Sequence, residues 1–212
     1  MTTPDLSARL SLIVIVERTL AAPRNVYSVV QSALDAGAPA VQLRNKGDST
    51  AQQIEAARTL RAMTRKSGAL LFVNDRLDVA LAAEADGVHL GPNDIPVAAA
   101  RAMAPRNFLI GRSADEPAVA RQAVRDGASY IGCGTVYATS TKTDAGDVIG
   151  LDGLQRVAES VSAPVVGIGG ITVERVREVL GAGAAGVAVV GAVMAAKDPG
   201  EAVRRIFTAR DS

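Results

Sequence analysis

The amino-acid sequence predicts a single α/β domain folded as a (β/α)8 TIM barrel. Eight short apolar segments recur along the 212 residues, and longer segments with helical periodicity separate them. Most of the apolar segments are continuous rather than alternating, which is typical of strands buried on both faces of a parallel sheet. Eight such units in a chain of about 200 residues are the number that a closed barrel needs. A doubly wound open sheet is the alternative, but it rarely needs eight equal units.

Strands and helices can be assigned in order along the chain. The predicted strands cover residues 10–16, 40–43, 69–73, 87–90, 108–111, 130–136, 164–168 and 186–193. Between them, apolar residues at helical spacing, such as Ile54, Ala57 and Leu60, predict amphipathic helices. Glycines that suit a helix end stand just before strands at Gly37, Gly127 and Gly183. No linker divides the chain, so we expect one domain over residues 1–212, with its active site at the C-terminal ends of the strands.

The composition excludes several classes of function. The net charge is +1, from 23 basic and 22 acidic residues, so no global field is available to hold nucleic acid or an anionic membrane. Aromatic residues make up only 3%, which argues against stacking platforms for single strands. A single Cys and a single His exclude an internal disulfide, a cysteine zinc cluster and a multi-histidine metal site. No signal segment opens the sequence, so we expect a cytoplasmic protein.

One uncharged segment, residues 179–196, needs a separate interpretation. Its 18 residues reach the length of a membrane span, but 11 of them are Gly or Ala, which give little insertion energy. We therefore expect a helix end, a tight turn and a buried strand. The same segment matches the GxGxxG dinucleotide fingerprint at residues 181–186, but a predicted helix precedes it and a predicted strand follows it. The fingerprint requires the opposite order, so no nicotinamide or flavin site is expected.

Polar residues after the second predicted strand indicate a phosphate site. Gln42, Arg44 and Lys46 are two positions apart, so an extended chain points all three side chains to one face, while Val41 and Leu43 face the helices. Two cations and an amide at a barrel mouth suit a phosphate or pyrophosphate, which Arg can bind in a bidentate manner. A solvated strand end is the alternative.

Two aspartates at adjacent strand ends indicate a magnesium site. Asp75 closes the third predicted strand and Asp94 follows the fourth, so their carboxylates can converge and leave positions open for water and phosphate. The alternative is helix capping, which explains Asp78 well and would explain Asp94 if Pro96 began the next helix. His89 lies within a strand, and we interpret it as a hydrogen-bonded core or mouth residue rather than a ligand.

The remaining strand ends carry hydroxyls and glycines. Ser113 follows the fifth strand, where it either donates to an anion or begins a helix. The longest loop, residues 137–146, follows the sixth strand, and its polar composition suits either a mobile lid or a plain connector. It places four hydroxyls around Lys142: Thr139, Ser140, Thr141 and Thr143. Glycines after the last two strands, including Gly170 and Gly191, would let backbone N–H groups approach a phosphate.

Taken together, these segments resemble the thiamine-phosphate synthase family over residues 10–207. The matching segments are 42–46 (QLRNK), 74–78 (NDRLD), 85–91 (ADGVHLG) with Asp94, 111–113 (GRS), 139–142 (TSTK) and 167–171 (GIGGI). The resemblance implies a TIM barrel that joins a hydroxymethylpyrimidine diphosphate to a thiazole phosphate, carboxylated or not, with release of thiamine phosphate and pyrophosphate. It also implies one Mg²⁺ per active site.

The resemblance assigns roles residue by residue. Mg²⁺ is assigned to Asp75 and Asp94. The pyrimidine diphosphate is assigned to Gln42, Leu43, Arg44, Asn45, Lys46 and Asn74, with Ser113 on the pyrophosphate side. The thiazole phosphate is assigned to Thr139, Ser140, Thr141, Gly170, Val190 and Gly191, and Lys142 reaches the pyrophosphate. Catalysis is assigned to Arg44, Lys46, Ser113 and Lys142. The chain departs from the family at Pro92, where Gln is usual, and at Gly191, where Ser is usual.

The implied chemistry needs no side-chain nucleophile. The aminopyrimidine ring pushes electrons toward its methylene, so pyrophosphate can depart before the thiazole nitrogen attacks. Two rivals remain at this point: a thiazole tautomerase-like paralogue on the same barrel, and a phosphate-binding barrel without turnover. The expected partners are small-molecule substrates, with neither nucleic acid nor membrane, and homo-oligomerisation is left open.

Overall fold

Eight parallel strands close into one barrel in the computed structural model, which describes residues 3–139 and 147–211. The strands are β1 (Leu12–Val16), β2 (Ala40–Leu43), β3 (Leu70–Asn74), β4 (Gly87–Leu90), β5 (Leu109–Ser113), β6 (Tyr130–Cys133), β7 (Val165–Ile168) and β8 (Gly186–Val189). Each strand pairs with the next in sequence, and β8 pairs with β1. The predicted (β/α)8 barrel is therefore confirmed.

Helices surround this barrel. They are α1 (Thr3–Arg9), α2 (Arg18–Ala21), α3 (Val26–Asp35), α4 (Thr50–Ser67), α5 (Leu77–Ala82), α6 (Val97–Met103), α7 (Pro117–Arg125), α8 (Gly150–Ser160), α9 (Val176–Gly181), α10 (Gly191–Met194) and α11 (Pro199–Asp211). A 3₁₀ turn, Val173–Arg175, precedes α9. The short helix α10 begins where the sequence predicted the end of the eighth strand, because apolar residues continue from β8 into the helix.

Alternating strand residues build two cores. Ile13, Phe72 and Val166 point into the barrel, where Leu6 and Leu10 at its N-terminal end pack against them. The intervening strand residues point outward and pack against the helices. Helix α1 and the residue that follows it therefore close the N-terminal end of the barrel, and the C-terminal end is left for a site.

The helix ends predicted from three glycines are confirmed. Gly37, Gly127 and Gly183 follow helices with φ of 95°, 103° and 92°, a left-handed conformation that glycine adopts without steric cost. In the uncharged segment 179–196, α9 is followed by a turn, β8 and α10. This helix-then-strand order confirms that the GxGxxG match is not a dinucleotide motif. Within residues 3–139 and 147–211, no helix is long and apolar enough to cross a membrane.

Candidate active site

A cavity of about 600 Å³ opens at the C-terminal ends of the strands. This volume lies within the range of roughly 300–1,000 Å³ that is usual for small-molecule sites. Predicted site residues from both halves of the barrel line it: Gln42, Arg44, Asn74, Ser113, Thr139, Gly170, Val190 and Gly191. The structure thus brings together residues that are up to 149 positions apart in the sequence (191 − 42).

The end of β2 presents the predicted polar residues to this cavity. Gln42 is buried, and its side-chain amide donates to the Asn74 carbonyl oxygen Oδ1 across 2.9 Å. The Arg44 guanidinium is held by Glu17, whose carboxylate lies 3.2 Å away at the end of β1. Leu43 points outward into the core under the helices, so its side chain does not reach the cavity. This alternation follows directly from the two-residue period of a strand.

Beyond β2, the chain turns away from the cavity wall. Asn45 donates from its side-chain nitrogen to the Asp48 carboxylate across 2.9 Å, so its amide stabilises the turn. Lys46 is exposed, but its positive charge acts on Asp75 after β3, where it favours the ionised form of that carboxyl. Neither Asn45 nor Lys46 lines the cavity. Lys46 nevertheless lies close enough to Asp75 for their charges to interact.

The two predicted metal ligands meet above β3 and β4. Asp75 has a φ of 64°, unusual for a residue other than glycine, and its backbone N–H donates to the His89 carbonyl oxygen across 2.8 Å. Asp94 accepts a 2.6 Å hydrogen bond from the Gly91 backbone N–H. The side chains of the two aspartates are also hydrogen-bonded to each other. The carboxylates therefore converge, as the sequence predicted.

This proximity changes the acidity of Asp75. Burial, and then the hydrogen bond and negative charge of Asp94, raise the pKa of Asp75 to about 6. The positive charges of Lys46 and Arg44 oppose this rise. Like charges this close disfavour double ionisation of the pair, so a cation bound between the two carboxylates would relieve their repulsion.

The donor set fits a hard divalent cation. A Cβ built on Gly91 would lie 3.2 Å from Asp94 Oδ2 and 3.9 Å from Asp75 Oδ1, so the glycine leaves open the space beside both carboxylates. No cluster of three or more His, Cys, Asp or Glu that could hold a metal occurs in the described part of the chain. Mg²⁺ commonly takes one or two carboxylates and completes its shell with water and substrate phosphate, which suits such a pair.

Helix capping does not account for Asp94. Helix α6 has Pro96 at its N-cap, and no side chain caps that end. Asp78, by contrast, lies in the first turn of α5, where its carboxylate bonds to backbone amides and pairs with Arg76 across 2.5 Å. That pairing, together with the backbone bonds, lowers the pKa of Asp78. The N-cap of α5 is Arg76, so Asp78 is not the N-cap that the sequence predicted, although its carboxylate in the first turn suits that end of the helix. Asp94 lies outside α6 and does not cap it either.

Three residues from neighbouring strands form a hydrogen-bonded chain on the cavity wall. The His89 ring nitrogen Nε2 lies 3.0 Å from the Ser113 hydroxyl, and Nδ1 lies 3.0 Å from the Tyr130 hydroxyl. The interpretation of His89 as a hydrogen-bonded mouth residue is confirmed. Ser113 belongs to β5 and does not begin a helix, since α7 starts only at Pro117.

The opposite wall is built mainly from backbone. Gly170 has a φ of 61°, and a Cβ there would lie 2.7 Å from the carbonyl oxygens of Tyr137 and Ala138, so the loops after β6 and β7 touch. Arg175 donates to the Gly170 carbonyl oxygen across 2.7 Å, and its guanidinium lies 4.3 Å from the centre of the Tyr137 ring. Thr139 lines this wall. Three predicted residues lie outside the described residues: Ser140, Thr141 and Lys142.

Sequence reasoning missed three residues of the site: Glu17, Tyr130 and Arg175. Glu17 follows β1 directly, so the rule that functional groups stand at strand ends could have found it. Arg175 lies in the 3₁₀ turn after β7, where only its charge distinguishes it. Tyr130 begins β6, and its place in the wall depends on how the barrel closes, for which the sequence carries no local signal.

The fold and this cavity define a (β/α)8 barrel protein with a polar small-molecule site at the C-terminal ends of its strands. A family model described as "Thiamine monophosphate synthase" matches residues 12–193. Thiamine-phosphate synthase of Chloroflexus aurantiacus is 49% identical over 195 residues, 92% of this chain and 90% of that protein. Thiamine-phosphate synthase of Pyrococcus furiosus is 46% identical, over 95% of each chain.

A solved structure agrees with these sequence comparisons. Thiamine phosphate pyrophosphorylase from Pyrococcus furiosus superposes with a TM-score of 0.88 at 45% identity, covering 97% of this chain and 98% of that one. The chain therefore belongs to the thiamine monophosphate synthase family. The family predicted from the six sequence segments is confirmed.

Proposed function

We propose that this chain is a magnesium-dependent thiamine-phosphate synthase that acts in the cytoplasm on two small molecules. It joins 4-amino-2-methyl-5-hydroxymethylpyrimidine diphosphate to a thiazole phosphate and releases thiamine phosphate and pyrophosphate. The family and the names of its relatives support this proposal. One observation carries it for this chain: polar residues of two separate groups of loops line a single cavity, in which two phosphorylated molecules can meet.

The pyrimidine diphosphate binds along the ends of β2, β3 and β5. The bond between Gln42 and Asn74 uses one donor of Gln42 and the oxygen of Asn74, so Gln42 can still accept and Asn74 can still donate. That pair complements an aminopyrimidine, which presents a donor beside an acceptor. Arg44, held by Glu17, offers its fork of N–H groups to the diphosphate.

The reaction separates into departure and attack. The C–O bond at the pyrimidine methylene breaks, its electron pair leaves with pyrophosphate, and the ring's amino group stabilises the resulting cation. Arg44, Lys46 and Lys142 stabilise the charge that grows on the leaving oxygen. The lone pair of the thiazole nitrogen then forms the new C–N bond. The thiazole phosphate is positioned for this attack by Thr139, Ser140, Thr141, Gly170, Val190 and Gly191.

Asp75 and Asp94 would hold the magnesium ion. Support comes from the two convergent carboxylates, the space left by Gly91, and the raised pKa of Asp75. When bound, Mg²⁺ supplies positive charge that neutralises the diphosphate and its leaving oxygen. The chain's own contribution is to hold both carboxylates within reach of the charges of Lys46 and Arg44, next to Asn74, which lines the cavity.

The test is an assay of the purified protein with both substrates and Mg²⁺. Pyrophosphate and thiamine phosphate should appear together, and omission of either substrate should stop both, apart from slow loss of pyrophosphate to water. Conversion of the thiazole phosphate alone would instead favour the tautomerase. Binding of both ligands without any pyrophosphate release would favour a barrel without turnover.

A further inference from the structure

The hydrogen-bonded chain from Tyr130 through His89 to Ser113 has one end in the barrel core and the other in the cavity. The three residues stand on β6, β4 and β5 respectively, with both hydrogen bonds 3.0 Å long. Tyr130 is only 1% exposed and packs edge-on against Phe72, whose ring centroid is 5.3 Å away. Ser113 is partly exposed and lines the cavity. The chain therefore links a fixed, buried group to a group that a ligand can touch.

Two glycines make room for the rings of this chain. A Cβ on Gly111 would lie 2.2 Å from Tyr130 Cζ, and a Cβ on Gly132 would lie 2.6 Å from His89 Cε1. Real Cβ atoms do not approach other atoms so closely, so any larger residue at either position would displace a ring. The neighbouring strands therefore hold the positions of both rings.

The buried end sets the direction of the hydrogen bonds. Burial raises the pKa of Tyr130, so its hydroxyl keeps its proton, and a buried O–H needs an acceptor. Within residues 3–139 and 147–211, the hydrogen-bond partner of this hydroxyl is His89 Nδ1. Nδ1 can accept only when it carries no proton, and the neutral ring then carries its proton on Nε2. Nε2–H therefore donates to the Ser113 oxygen.

The opposite tautomer would fail at both ends. With the proton on Nδ1, the Tyr130 hydroxyl would accept, and this buried hydroxyl would lose the acceptor for its own proton. Ser113 would then donate to Nε2 and present only lone pairs to the cavity. An anionic diphosphate accepts hydrogen bonds, so lone pairs at this position would repel it.

We propose that His89 is a positioning residue that turns the Ser113 hydroxyl proton toward an acceptor atom of the pyrimidine diphosphate. Tyr130 selects the tautomer, and His89 occupies one lone pair of Ser113 so that its proton points into the cavity. This inference rests on the proposed function, because it assigns the ligand that accepts the proton.

The direct test is the tautomer of the chain's single histidine. With ¹⁵N-labelled histidine, the two ring-nitrogen resonances of the native protein belong to His89 without further assignment. We expect a neutral ring with its proton on Nε2 at neutral pH, and a mixture of tautomers in Tyr130→Phe, which keeps the ring and loses only the hydroxyl. A proton on Nδ1 in the parent protein would overturn the proposal.

A second test separates positioning from packing. Glutamine at position 89 places its side-chain nitrogen near the former Nε2 and can still donate to Ser113, whereas asparagine can reach only the Tyr130 side. We expect His89→Asn to lower kcat/KM for the pyrimidine diphosphate about tenfold and His89→Gln to lower it clearly less. A role confined to satisfying Tyr130 predicts the reverse order, which would contradict the proposal.

A double-mutant cycle with Ser113→Ala completes the test. If His89 acts through Ser113, His89→Asn should cost less than about twofold in the Ser113→Ala background. A full tenfold loss in that background would overturn the proposal. Failure of the proposed function is distinguishable: the parent protein would then release no pyrophosphate, while the tautomer would still be measured without turnover. If a position-89 variant does not fold, the Tyr130→Phe spectrum decides.

Discussion

Glu17 and Arg44 face each other from the ends of neighbouring strands, with 3.2 Å between carboxylate and guanidinium. Both side chains are largely buried, at 23% and 15% exposed, so the pair is more than a surface contact. Glu17 holds the guanidinium in place, but its charge also competes with any anion that Arg44 binds. Glu17 therefore weakens the attraction of Arg44 for an anion, but it fixes the orientation of the guanidinium.

Replacing Glu17 by glutamine should separate these two effects. Gln keeps an acceptor oxygen for Arg44 but removes the competing charge, so we expect KM for the pyrimidine diphosphate to fall by up to about fivefold, the equivalent of roughly 1 kcal/mol. Steady-state kinetics would measure it, with Glu201→Gln, which faces Arg204 on α11, as the control. A rise in KM for Glu17→Gln would show that the charge itself orients Arg44.

Asp75→Asn and Asp94→Asn should each shift the magnesium dependence. Each substitution removes one charge from the same ion at nearly constant shape, so the fold should survive while activity at limiting Mg²⁺ falls by at least ~10-fold, about 1.4 kcal/mol. The double variant should lose less than the product of the single losses, because both act on one site. Asp78→Asn is the matched control. A titration of Asp94→Asn that overlays the parent would remove Asp94 from the site.

Asp75 should also make the metal-free protein less stable at higher pH. Its pKa is raised to about 6, above the ordinary value of 3.8, so the folded state binds this proton more tightly than the unfolded state. The resulting stabilisation is complete below pH 3.8 and is lost as the pH rises through 6.

Denaturant unfolding in the presence of a chelator, between pH 4.5 and 7.5, would measure this effect. The difference in free energy of unfolding between the parent and Asp75→Asn should shift against the parent as the pH rises. A difference that is flat across this range would contradict the raised pKa.

Gly191→Ser should strengthen binding of the thiazole phosphate. The resemblance to the family implies serine at this position, and a Cβ built on Gly191 meets no atom within 4 Å among the described residues. The added hydroxyl can donate to the phosphate, so we expect KM for the thiazole phosphate to fall severalfold, in line with about 1 kcal/mol for one hydrogen bond. Gly181→Ser, which also enters open space but lies on α9, is the control. An unchanged KM would place the phosphate elsewhere.

The sequence predicted strand bounds well where polarity changes sharply and poorly where it does not. Residues 40–43 and 87–90 were predicted for β2 and β4, and both are confirmed. The sixth and eighth strands end earlier than predicted, at Cys133 and Val189, because apolar residues continue through the turns that follow. In both cases the backbone leaves the sheet before the apolar pattern stops.

For the site, the sequence predicted which strand ends carry polar groups but not which groups bond to each other. The strand-end rule brought Gln42, Arg44, Asn74, Asp75 and Asp94 to one rim. The bond between Gln42 and Asn74 depends on the register of β2 against β3. The contact of His89 with Tyr130 depends on the stagger of β4 and β6 around the barrel. Neither quantity is encoded in local polarity.

The space beneath the Tyr130 ring also constrains how this sequence can change over generations. Position 111 cannot gain a side chain while Tyr130 occupies that space, because a Cβ would fall 2.2 Å from Cζ of the ring. A homologue without this tyrosine could carry a larger residue at position 111, whereas a homologue that keeps the tyrosine must keep the glycine. Among homologous chains, we therefore expect a residue larger than glycine at position 111 only where position 130 carries a side chain smaller than tyrosine.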